Sequence, residues 1–263
     1  MDLQLSEKTA VVLAASKGLG KAIAKGLAAE GTNVVLCSRN EAALEQAVKE
    51  IKSETGNQEV RYVLCDVKKP EQIKQVIKHT VETYGGVDIL INNAGGPPAG
   101  DFMSMRDEDW YHAFELNLLS FIRAIREVVP YMKKQGGGRI VNLSSSSIKQ
   151  SIDHLVLSNT MRPGINGLTK SLARELGEAN ILINTIGPGT IETDRILELN
   201  KDRAKRANIT PDAFQEQAEQ EIAMKRYGQP EEFANTVVFF ASWANTYITG
   251  QSLLVDGGQI KAL

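Results

Sequence analysis

The sequence predicts an α/β fold, a doubly wound, seven-stranded parallel sheet in a single domain, and three observations carry that prediction. Seven short runs rich in Val, Ile and Leu recur along the 263 residues, each too short for a helix and each ended by Gly, Asn, Asp or Ser. Segments with helical spacing lie between most of them, and alternation of strand and helix implies right-handed crossovers into a sheet covered on both faces. The first run leads through a glycine-containing turn into a helix, the context in which backbone N–H groups approach a pyrophosphate.

The strands are expected at "TAVVLAA", "NVVLCS", "VRYVLCD", "VDILINNAG", "GRIVNLSS", "ILINTIGPG" and "QSLLVDGG". Helical spacing and capping residues mark "GLGKAIAKGLAAEG", "NEAALEQAVKEIKSETG", "KPEQIKQVIKHTVETYGG" and "PGINGLTKSLARELGEAN". Between 190 and 227 the rhythm breaks: the segment is charged, holds no strand, and reads as two short helices divided near "NITP". An insertion there lies at the carboxyl edge of the sheet, where open α/β folds bind ligands, so it is read as a substrate lid, or else as an oligomer contact. No repeat or linker divides residues 1–263.

Composition narrows the function classes. With 42% hydrophobic residues the chain can bury a sizeable core. A net charge of −2 with interspersed signs offers no field for nucleic acid, and "KDRAKR" at 201–206 reads as a solvated helix face. No run approaches a membrane span and the N-terminus lacks a secretory pattern, so a cytoplasmic protein is expected. Cys37 and Cys65 each end an apolar run and read as buried, reduced thiols. The three histidines show no ligand spacing, so no metal site is expected.

The turn from Ser16 through Lys17, Gly18 and Leu19 to Gly20 is the candidate phosphate cradle, although Ala14 stands where a G-x-x-x-G-x-G pattern begins with Gly. Ser38 and Arg39 follow the second strand, where an acidic residue would hold the ribose hydroxyls of NAD and an Arg accepts a 2′-phosphate. With Lys17 adding a second cation, NADP(H) is expected in preference to NAD(H). Asp66, followed by Val67, could bond an adenine amine or cap the next helix.

Together with "NNAG" (Asn93, Ala94 and Gly95), Asn117 in "ELNLLSFIRA", Ser145 after "GRIVNLS", "PGTIET" and "ITGQSLLVDGG", these residues resemble the short-chain dehydrogenase/reductase family over nearly the whole chain. The likeness is greatest to members of the 3-oxoacyl carrier-protein reductase type. The resemblance implies a Rossmann fold, a nicotinamide cofactor, a small carbonyl or alcohol substrate, and a homo-tetramer or dimer; hydropathy and charge add that no membrane or nucleic-acid partner is expected. It places Asn93 in the turn supporting the fourth strand, Pro188 and Gly189 beside the nicotinamide, Ile191 among the cofactor-binding residues, and Thr193 on the nicotinamide's phosphate or carboxamide side. Ser145 would bond the substrate oxygen. Asn117 would hold a relay water, or bridge two helices.

The family's Tyr, with Lys four residues later, should fall thirteen positions after Ser145, and there the chain has Ser158 and Arg162. None of its six tyrosines is followed four positions later by Lys. A serine hydroxyl is a far weaker acid than a phenol and much shorter, whereas Arg162 can keep a fixed cation in place. Pro163 lacks an N–H and is best placed at a first helical position, so the helix is expected to begin near Pro163, with Ser158 in the preceding loop and the site remodelled. Two functions follow: an NADP(H)-dependent oxidoreductase with a proton source other than Tyr, or a catalytically impaired dinucleotide-binding protein acting as a sensor or oligomer partner. Gln135 and Ala179 stand where carrier-protein reductases place docking cations, which weakens that substrate assignment.

Overall fold

The computed structural model describes residues 1–262 and contains the seven expected strands, all parallel. The first half runs β1 (Thr9–Val12), α1 (Gly18–Ala29), β2 (Asn33–Ser38), α2 (Glu41–Thr55), β3 (Val60–Leu64), α3 (Pro70–Tyr84) and β4 (Ile89–Asn92). It continues through α4 (Asp107–Phe114), α5 (Ser120–Gln135), β5 (Gly138–Leu143), α6 (Val156–Leu176) and β6 (Ile181–Pro188). The chain closes with α7 (Asp194–Ala207), α8 (Pro211–Gln220), α9 (Pro230–Phe240) and β7 (Ser252–Val255). The strand order is β3-β2-β1-β4-β5-β6-β7, so the winding reverses between β1 and β4 and opens a crevice at their carboxyl ends.

Alternate residues of β1 face opposite layers, which is why a near-continuous apolar run suits this strand. Ala10 and Val12 join Ile23 and Leu27 of α1 and Phe233 and Val237 of α9, while Val11 and Leu13 join Val76 of α3, Phe121 and Val128 of α5 and Ile165 of α6. Local chemistry agrees with the packing. Asn40 caps α2 by accepting from the Ala43 N–H at 3.0 Å, Pro70 opens α3, and Gly85 ends α3 at φ +84.

The start of α6 differs from expectation. The helix begins at Val156, and both Ser158 and Arg162 lie within it, four residues apart and buried, with Pro163 exposed in the helix interior. An interior Pro costs about 3 kcal/mol, through the lost bond to the carbonyl four residues back. Burial of Leu157 and Ile165, each 0% exposed, contributes about 1.5–3 kcal/mol apiece and offsets it. The Asn159 amide further clasps the preceding loop, accepting from the Ile152 N–H at 3.1 Å and donating to the Ile152 carbonyl at 2.8 Å. Residues 158 and 162 therefore share one helix face, and the expected remodelling of this region is not found.

Candidate active site

A cleft of about 690 Å³ opens at the carboxyl ends of the strands, at the reversal between β1 and β4. Its first wall is the turn after β1, with Ser16, Lys17, Gly18 and Leu19. Gly18 sits at φ +58, a conformation that favours Gly, and a Cβ on Gly20 would lie 2.5 Å from the Ala14 carbonyl oxygen and 2.8 Å from Asn93 Nδ2. Gly20 itself lies beneath the surface of the cleft, where it permits close packing of helix and strand. Ala14, replacing the first Gly of the pattern, takes φ +49, and its carbonyl accepts from Asn93 Nδ2 at 3.1 Å. Asn93 thereby ties the turn after β4 to the turn after β1.

Ser38 and Arg39 form the next part of the wall, with the Ser16 hydroxyl donating to Ser38 Oγ at 3.0 Å. Arg39 has no ion pair among the described residues, whereas Lys17 reaches Asp194 Oδ2 of α7 at 3.7 Å. Lys17 therefore faces α7. Asp66 and Val67 border the same end. Asp66 Oδ1 accepts from the Lys68 N–H at 3.0 Å, which closes the turn before α3, while Lys69 occupies the helix's cap position.

Ala94 and Gly95, then Pro188, Gly189, Ile191 and Thr193, complete the cleft. Thr193 caps α7, accepting from the Ile196 N–H at 3.4 Å. Cys65 also lines the cleft and Cys37 lies behind it; both thiols are free and buried, and burial pushes Cys65 up to about 12.

The expected catalytic residues are gathered at this end, although not all reach the cleft surface. Arg162 does: its Nη1 donates to the Leu143 carbonyl at 2.9 Å, its Nε has no partner, and burial lowers its pKa to about 10. Asn117 sits in one turn of π-helix, Glu115–Leu119, between α4 and α5, with Nδ2 donating to the Gly95 carbonyl at 2.8 Å and Oδ1 unpartnered. Ser145 is half-buried and caps a short 3₁₀ turn, accepting from the Ser147 N–H at 3.1 Å. Ser158 is buried behind it, its hydroxyl 3.4 Å from that of Ser147.

Sequence reasoning missed several wall residues: Ser144, whose buried Oγ has no partner, Pro97 and Pro98 after "NNAG", and Arg195 and Ile196 on α7. The "GGPP" run signalled a rigid loop, but only the fold shows where it points. The orphaned Arg162 Nε and Ser144 Oγ, with the glycine-built cradle, suit a polyhydroxylated, phosphorylated dinucleotide.

The profile of the family described as Enoyl-(Acyl carrier protein) reductase matches residues 13–259. The chain is 36% identical over 260 residues to dehydrogenase/reductase SDR family member 4 of Bos taurus, covering 98% of this chain and 89% of that protein. It belongs to the short-chain dehydrogenase/reductase family. It is also 35% identical to the 3-oxoacyl-(acyl-carrier-protein) reductase FabG of Staphylococcus epidermidis, covering 95% and 98% of the two chains. Among solved structures, L-sorbose reductase from Gluconobacter frateurii, complexed with NADPH and L-sorbose, superposes with a TM-score of 0.94 at 34% identity over 100% of both chains. No helix of the described residues is long and apolar enough to cross a membrane, and no cluster among them could hold a metal ion.

Proposed function

We propose that the protein is an NADPH-dependent oxidoreductase that interconverts a small-molecule carbonyl and its alcohol, with a proton source other than tyrosine. The observation that carries this reading is the continuity of α6, which holds positions 158 and 162 on one face beside an otherwise complete cleft. The NADPH-bound sorbose reductase supports the cofactor class. Arg39, free of any carboxylate within ion-pair distance, selects the 2′-phosphate, and Lys17 contributes beside it while remaining shared with Asp194.

When bound, the nicotinamide supplies or takes up the hydride. The Ser145 hydroxyl holds the substrate oxygen. Arg162 supplies a fixed positive charge on the cofactor side and, with a pKa still near 10, remains charged at neutral pH and does not give up its proton. Asn117, through its unpartnered Oδ1, holds the relaying water that replaces the missing phenol. Ser158, buried and engaged with Ser147, is not the donor.

The segment over 190–227 forms the expected pair of helices, broken at Asn208 with φ +55 and restarted by the Thr210 cap and Pro211. In this reading it is the lid of the single domain. Exposed Tyr111 and Phe114 on α4 supply the contact of a homo-oligomer, a tetramer or dimer, and the protein works in the cytoplasm. A carrier-protein substrate is disfavoured, because Gln135 spends its side chain on the Val87 N–H at 3.1 Å and on Asp88 at 3.2 Å.

The test is NADPH oxidation across ketones, ketoacyl thioesters and quinones for wild type, Ser145→Ala and Ser158→Ala. Turnover should fall far more in Ser145→Ala. A protein that binds NADPH yet turns over nothing would favour a sensor or oligomer partner instead.

A further inference from the structure

A second cavity, of about 250 Å³, lies beside the cofactor cleft, between Ala99 with Asp153–Leu155 on one wall and Leu199–Ala207 of α7 on the other. The two spaces adjoin: Pro98 lines the first and Ala99 the second, and along α7 Ile196 lines the first while Leu199 begins the second. From Ile196 to Arg203 is seven residues, or about 10 Å of helix. The loop wall is fixed in place. Gly100 and Leu155 form a parallel bridge, and His154 Nδ1 pairs with Asp101 Oδ1 at 2.8 Å.

The face of α7 turned to this cavity carries Arg203 and Arg206, part of the run that reads in sequence as a solvated face. Lys201, Asp202, Lys205 and Arg206 are indeed exposed, but Arg203 is half-buried. It has no ion pair among the described residues, although Asp153 and Asp202 also line the cavity. Its pKa is lowered chiefly by desolvation, partly countered by Tyr227, and lowered further by Arg206, with no carboxylate acting on it. A half-buried guanidinium facing a cavity without a paired carboxylate is a site an anion can occupy.

We propose that this second cavity is an anion subsite, in which Arg203, assisted by Arg206, binds a carboxylate or phosphate group at the far end of the substrate whose carbonyl lies in the cofactor cleft. The inference rests on the oxidoreductase reading. It makes the substrate an acidic, extended keto compound or hydroxy compound, its charge separated from the reacting carbon by several bonds.

Binding of matched probes decides it: linear methyl-ketone carboxylates of increasing length, their methyl esters, and the corresponding phosphate monoesters, titrated by calorimetry with and without NADPH. For the best chain length the anion should bind at least tenfold more tightly than the ester, and Arg203→Gln should bring that ratio close to one while leaving ester affinity unchanged. Arg203→Lys should retain part of it. Carboxylate and phosphate arms identify which oxyanion is preferred. A wild-type ratio near one, a ratio that persists in Arg203→Gln, or a loss of melting temperature in that variant with no change in probe binding would overturn the subsite. Failure to bind NADPH would sink the oxidoreductase reading separately, and the probe ratio in the NADPH-free protein would still decide the subsite.

Discussion

The hydroxyls of Ser147 and Ser158 lie 3.4 Å apart in a buried pair, one on the 3₁₀ turn after β5 and the other in the first turn of α6. This contact joins the turn after β5 to the start of α6. It also means that residue 158 is held on a regular helix, four positions before Arg162, and is not carried off by a loop.

Restoring the pair should therefore restore chemistry. Ser158→Tyr with Arg162→Lys is expected to raise turnover on the best carbonyl of the panel by about 10²-fold, the lower range for a positioned general acid. Adding Ser147→Ala relieves any crowding of the phenol. Turnover at or below the wild-type rate in both variants would show that the helix face does not aim at the substrate.

Cofactor choice should reside chiefly in Arg39. Arg39→Ala is expected to weaken NADPH at least tenfold, about 1.4 kcal/mol, and to leave NADH nearly unchanged. Titration of both cofactors by fluorescence checks this, and equal losses for the two would place the 2′-phosphate elsewhere.

Close packing beneath the phosphate turn makes Gly20 intolerant. A Cβ would stand 2.5 Å from the Ala14 carbonyl oxygen, so Gly20→Ala should cost about 1–3 kcal/mol in urea unfolding and weaken both cofactors alike. Unchanged stability and affinity would mean that the turn after β1 is looser than described.

Both thiols should be silent in the folded protein. With Cys65 pushed up to about 12 and Cys37 well above its ordinary value by burial, both remain thiols at pH 8. The sign follows from the raised values: protonation is favoured in the fold, so ionisation opposes folding only as pH climbs past the unfolded thiol range. A disulfide-exchange reagent at pH 8 should label neither residue until denaturant is added; rapid labelling of the native chain would contradict this.

Much of the fold was legible because its signals are local: the seven apolar runs, and glycines such as Gly18 and Gly20 that mark a phosphate turn. The turns that wall the cleft were legible from the same signals. Pro163 misled, since its backbone cost is visible in sequence while the burial of Leu157 and Ile165 that offsets it is not. The π turn holding Asn117, the orphaned Ser144 hydroxyl and the half-buried Arg203 depend on contacts between distant segments, which no spacing rule exposes.

The most direct test of hydride transfer uses NADPH deuterated at the transferable position of the nicotinamide, incubated with the carbonyl panel, with the alcohol products read by mass spectrometry. One deuterium per alcohol is expected from the wild type, with a large loss of labelled product in Ser145→Ala. Saturable NADPH binding with no deuterium transferred to any carbonyl would contradict hydride transfer.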